Sequence, residues 1–234
     1  SCTETQTSMN DVIQAYEDYQ AEIRKASRWD LSDSLDQAKI SGLESISNLI
    51  ATLDRTTLTG DDLINYDMLK LIVDDDLANL KYESHLMPLN AEGGFITGLM
   101  YSTRSARLND EKSISRYEEQ VKGISEYING QIDRMNRGIS EGKVAPEVVV
   151  KNCIGILDQQ LNGGVESSFL YQPIVNLENE NQSLIANIIK QEAMPALKSL
   201  RDFLNDKYMP SARDEDGILG ITEGKKYYEQ RVQY

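Results

Sequence analysis

The sequence predicts an all-α protein, a bundle of long antiparallel helices, on two observations. Apolar residues recur at three- and four-residue intervals in one stretch after another, and no run of alternating β-branched residues is long enough for a strand. Glycine, proline and Ser/Thr clusters fall between the periodic stretches, where helices should end.

Residues 1–9, which open Ser1-Cys2-Thr3-Glu4-Thr5-Gln6-Thr7-Ser8, read as a polar tether; residues 10–234 read as a single helical domain, incomplete at its C-terminal end. A chain of this length buries about 70% of its unfolded surface and needs no staples. The first helix is expected near Asn10, with Asn10 or Asp11 capping Val12, Ile13, Tyr16, Tyr19 and Ile23 at helical spacing. A second starts after Ser32 or Asp33, carries Leu35, Ile40, Leu43, Ile46, Leu49 and Ile50, and stops before the turn Thr56-Thr57-Leu58-Thr59-Gly60. The third begins at Asp61-Asp62, acidic residues that suit the positive end of a helix, and lays Leu63, Tyr66, Leu69, Ile72, Val73, Leu77 and Leu80 along one face.

From His85 through Pro88-Leu89-Asn90 to Gly93-Gly94-Phe95 the period breaks while large apolar residues persist, the mark of a structured loop. The clearest stripe follows: Ile114, Tyr117, Val121, Ile124, Ile128, Ile132, Met135 and Ile139. It predicts one helix of about 30 residues, roughly 45 Å long. Gly142 ends it and Pro146 opens the next, which carries Val148, Val149, Ile154, Leu157 and Leu161 to Gly163-Gly164, so the pair should pack as a hairpin. The last long helix runs from Leu184 through Ile188, Leu197, Leu200 and Leu204 to Tyr208, with Pro195 kinking it near Gln191 to Met194. A final helix from Thr222 still carries Tyr227, Tyr228 and Tyr234 where the sequence stops, which reads as a piece of a longer chain.

Charge narrows the partners. With 24 Lys and Arg against 38 Asp and Glu, the net charge of −14 repels nucleic acid and anionic lipid surfaces alike. Acidic residues on helix faces, Asp74-Asp75-Asp76 among them, read as solvated surface, since no calcium-loop spacing follows them. No apolar run approaches the roughly 18 to 20 residues of a membrane span, so membrane contact is expected only through a lipid anchor. Cys2, followed by a polar tether and a helical domain, fits the lipid-attachment cysteine of a mature bacterial lipoprotein, with an incidental terminal cysteine as the bland alternative. Cys153, inside the apolar run Val148 to Leu157, reads as a small buried hydrophobe rather than a disulfide partner.

No catalytic or metal site is expected within these residues. His85 is the single histidine, both cysteines are isolated, and a zinc set cannot be assembled from them. The Gly-Gly pairs lack the Lys-Ser/Thr ending of a phosphate loop, and no Gly-x-Ser-x-Gly elbow occurs. Glu44, Glu118, Glu119 and Glu192 lie on predicted helices, but carboxylates are too abundant here for any pair to point to a site.

Four segments in order carry a resemblance. Pro88-Leu89-Asn90 with Gly93-Gly94 comes first, then Gly138 to Pro146 with Val148-Val149-Val150, then Ser168-Phe169-Leu170-Tyr171-Gln172-Pro173. The fourth is Pro195-Ala196-Leu197, Phe203-Leu204, Tyr208-Met209-Pro210, Ala212-Arg213, Gly217-Ile218, Gly224 and Tyr227-Tyr228. Together they resemble a bacterial family catalogued as domain of unknown function 885, from which Ala91 departs at a usual glutamine. The resemblance implies an exported or lipid-anchored protein that looks like a helical zinc peptidase, with its His-Glu and Pro-Gly-His-His segment further downstream. This chain is then the amino-terminal part of a larger helical protein, a scaffold or substrate-channel half without the metal site. Zinc belongs to the full-length protein, and the partners are the remainder of the polypeptide and a peptide substrate.

The resemblance nominates Tyr208, Arg213, Tyr227 and Tyr228 as substrate contacts: the arginine to pair with a carboxylate, the tyrosines to stack or donate hydrogen bonds. The plainer role for all four is packing and capping of the last helices. The competing reading of the whole chain is a non-catalytic lipoprotein of the cell envelope that binds a ligand or partner. An apolar stripe that normally covers a second half also predicts aggregation or dimerisation of the isolated chain.

Overall fold

The computed structural model describes residues 7–214, 224–225 and 229. It is all-α: the described residues contain no strand, only one isolated bridge between Pro146 and Arg213. No described helix is long and apolar enough to cross a membrane. The region expected as one domain divides into two compact units, the first running to His85 and the second starting at Leu86.

The first unit packs α1 (Met9–Ile23), α2 (Asp33–Ala51) and α3 (Gly60–Lys81). The cap of α1 is Ser8 rather than Asn10 or Asp11, because Ser8 and Asp11 satisfy each other: Ser8 Oγ accepts from Asp11 N and Asp11 Oδ2 accepts from Ser8 N at 2.7 Å. The helix therefore starts early enough to bury Met9 with Val12, Leu43, Ile46, Ile50, Tyr66 and Val73. Ser32 caps α2 through Leu35 N, as its position predicts. Helix α3 differs from its expected single face. Tyr66 and Val73 are buried, yet Ile72 is 37% exposed and lies with exposed Ile64, Met68 and Leu71. The helix is apolar on two sides, and only one of them meets α1 and α2.

The second unit holds α4 (Phe95–Arg104), α5 (Glu111–Lys122), α6 (Ile124–Glu141), α7 (Glu147–Asn162), α8 (Asn179–Ile188) and α9 (Met194–Phe203). The stripe expected as one helix is split at Gly123, though Tyr117, Val121, Ile124, Ile128 and Met135 are all buried along it. Gly142 ends α6 in the left-handed region at φ 70°. Helices α6 and α7 do not close on each other as the expected hairpin; each packs on α9 instead. The reason lies at their joint, where the end of the α9 segment occupies the turn: Tyr208 and Arg213 hydrogen-bond to residues 144–145.

Proline shapes that segment twice. Pro195 has no amide to offer Gln191, and the helix widens into a π turn over Ile189–Ala193, where the kink is expected. A second π turn, Leu204–Tyr208, precedes Pro210 at the same spacing.

Candidate functional site

As far as they are described, to Arg213, the four segments of the resemblance lie in the second unit, tied by side chain to backbone bonds. Asn90 Oδ1 accepts from the backbone of Glu92 at 2.9 Å and Gly94 at 2.8 Å, which folds the Pro88–Gly94 loop on itself. Asn152 of α7 donates to Ala91 O at 2.9 Å, so the position that departs from the family pattern contributes only its carbonyl. Buried Tyr117 donates to Leu170 O at 2.7 Å, and Gln160 accepts from Phe169 N at 2.9 Å.

Of the nominated contacts, Tyr208 and Arg213 are brought together and Tyr227 and Tyr228 lie outside the described residues, as does Cys2. Tyr208 is fully buried; its Oη accepts from Ala145 N at 2.9 Å, and desolvation holds the phenol above its ordinary pKa. Arg213 is half-buried, with Nε donating to Val144 O at 2.7 Å and its backbone N–H donating to Ala145 O. Both brace the turn that opens α7. Tyr208→Phe is accordingly expected to cost about 1–3 kcal/mol, the penalty of an orphaned buried donor. Urea denaturation measures it; an unchanged midpoint would mean that the Ala145 amide is satisfied without the hydroxyl.

A cavity of about 330 Å³ lies wholly within the first unit, lined by Tyr19, Lys39, Asp76, Asn79 and His85 over Leu43 and Leu80. At its edge Asp36 is 8% exposed, with one oxygen 3.8 Å from His85 Nε2 and the other 3.6 Å from Lys39 Nζ. Burial, then Asp75, raise the pKa of Asp76, and burial with Asp76 pushes the Tyr19 phenol up to about 12. The site thus makes the charged form of Asp76 costlier than in water and rewards a cationic group placed beside it. Ser84 Oγ donates to Asn79 O at 3.1 Å.

Sequence reasoning missed this cavity. It read Asp74-Asp75-Asp76 as one solvated face, whereas Asp74 pairs with Lys70, Asp75 accepts from Asn79, and only Asp76 turns inward. Three-residue spacing of Asp36 and Lys39 was the available signal; that Tyr19 and His85 meet them depends on helix packing. Among the described residues no group of three or more His, Cys, Asp or Glu is placed to hold a metal.

A smaller cavity, about 160 Å³, lies in the second unit beside α5 and is lined by Arg107, Arg116, Tyr117 and Gln120 among others.

No curated protein matches this chain. A solved structure from Colwellia psychrerythraea, described as a "putative lipoprotein", shares its fold at a TM-score of 0.73 and 15% identity. That match covers 97% of this chain and 46% of the other, so this chain spans less than half of that protein's length. The profile of the family described as "Bacterial protein of unknown function (DUF885)" matches residues 6–234. Matched along nearly all of its length and carrying that family's four segments in order, the chain belongs to the bacterial DUF885 family.

Proposed function

We propose that this chain is the amino-terminal helical portion of an exported, metal-dependent, peptidase-like hydrolase, a scaffold that walls a substrate channel while other residues of the polypeptide hold the metal. One observation carries this reading: the fold accounts for 97% of this chain but 46% of its structural neighbour. The unpaired apolar side of α3 supports it, since Ile64, Met68, Leu71 and Ile72 form a face that a further helical layer would cover. The donor sets among the described residues do not fit a metal, so no chemical step is assigned to this chain through one. Arg213, Tyr227 and Tyr228 are proposed to meet a bound peptide, with Tyr208 holding the wall from beneath. An envelope location with Cys2 as the lipid attachment is supported by the neighbour's description and by the polar stretch after Cys2.

The second reading, a ligand-binding lipoprotein, is favoured by the cavity that the first unit forms on its own. Metal content and peptide hydrolysis, measured on this chain and on the product of the complete gene, separate the two. The complete product is expected to bind about one zinc per chain and cleave peptides, while this chain does neither. If the complete product also does neither, the hydrolase reading is lost and the binding reading stands.

A further inference from the structure

The smaller cavity has an unusual electrostatic setting. Between the end of α4 and the middle of α5 lie Arg104, Arg107, Lys112 and Arg116, and none of them forms an ion pair among the described residues. Several cations elsewhere are matched: Lys25 with Glu22, Arg55 with Asp67, Lys81 with Glu44, Lys122 with Glu118. In a chain of net charge −14, Arg107 and Arg116 line one cavity and locally reverse the protein's field. Arg116 attracts the Asp110 carboxylate, but that group caps α5: its Oδ1 accepts from Ser113 N at 2.7 Å.

Helical spacing organises the wall. Ser113, Arg116, Tyr117 and Gln120 stand at i, i+3, i+4 and i+7 of α5 and share one face, with Arg107 and Leu108 opposite on the connecting segment. Tyr117 spends its hydroxyl on Leu170 O and so offers its ring. The amide nitrogen of Gln120 is buried without a hydrogen-bond partner among the described residues. An unmet buried donor is costly, and a half turn of the amide presents it to the cavity.

We propose that this cavity binds a small organic carboxylate, held by Arg107 and Arg116 with the Gln120 amide as a further donor. Planar guanidinium forks match a carboxylate's two oxygens, and Leu108, Ala106 and the Tyr117 ring receive its apolar substituent. The volume of about 160 Å³ corresponds to about five waters of liquid and falls below that of pockets for whole drug-sized ligands. The ligand is therefore a small acid or the carboxylate end of a longer molecule. The acidity of the chain as a whole disfavours a dianion relative to a monoanion, which selects carboxylate over phosphate. The proposal does not rest on the hydrolase reading.

Calorimetric titration of the full chain with N-acetylalanine, its neutral methylamide and inorganic phosphate tests it. N-acetylalanine is expected to bind in a salt-sensitive manner, the methylamide not at all, and phosphate more weakly. Arg107→Gln and Arg116→Gln should each weaken N-acetylalanine roughly tenfold or more, while Lys198→Gln, remote from the cavity, changes nothing. Both arginines are exposed, so these variants should keep the wild-type melting curve. Gln120→Leu should raise the melting temperature of the unliganded chain and weaken binding together. Equal binding of acid and methylamide, phosphate binding as tightly as the acid, no heat from the acid at all, or wild-type affinity in the arginine variants would each overturn the proposal.

Discussion

Gly94→Ala is expected to destroy the cooperative unfolding of the second unit. Gly94 sits at φ 61° and ψ −130°, a conformation that residues with a Cβ scarcely populate. A Cβ there would stand 2.1 Å from Pro88 O and 2.9 Å from Leu89 Cα, and both are backbone atoms that cannot rotate away. Nor can the loop open, since Pro88 O accepts from Phe95 N at 3.1 Å and Asn90 fastens Gly94 N. Backbone strain of about 1–3 kcal/mol adds to the cost of breaking those bonds, for a total of about 4 kcal/mol or more. Urea denaturation followed by circular dichroism should show the loss; a transition close to wild type would mean that the loop has a second backbone conformation available.

Gly138→Ala carries the second largest effect, and its sign opposes helix propensity. In the interior of a helix the change should gain up to about 1 kcal/mol. Here the added Cβ would meet Leu86 O and Lys143 O, each at 2.6 Å, because the loop and the end of α6 close over this position. Overpacking against two backbone carbonyls that cannot rotate away costs about 3 kcal/mol, the top of the usual range, and should win, leaving a net loss of about 2 kcal/mol. Gly155→Ala in α7 is the control, since nothing lies within 4 Å of its Cβ position. It should stabilise by about 0.5–1 kcal/mol on the same assay.

These glycines show what was legible in the sequence. Helix ends written in local chemistry were: Ser32, Gly142, Pro146 and Gly163 bound the helices they were expected to bound. Pro195 produced its distortion where the missing amide required one. Features set by distant partners were not. Ile72 belongs to the apolar pattern of α3 yet faces outward, because periodicity records which residues are apolar and not which side meets a neighbour. The α6–α7 pair looked like a hairpin from its short turn; that Tyr208, more than sixty residues downstream, fills the turn has no local signature. Neither cavity was visible for the same reason. Arg107 and Arg116 come to one space only where α5 and the preceding segment set them, which no local pattern records.

Cys153 gives the second unit a clock. Its thiol is completely buried in α7, with Sγ 3.9 Å from Gly93 O, and desolvation pushes its pKa up to about 11. Only the thiolate attacks labelling reagents, so the native protein should withhold this sulfur both by coverage and by charge state. With Cys2 replaced by serine, Cys153 is the sole thiol, and each modification records one excursion in which the Pro88–Gly94 loop has lifted from α7. The rate of labelling then reads the frequency of that local opening without unfolding the protein, and separates a loop that breathes from a unit that melts.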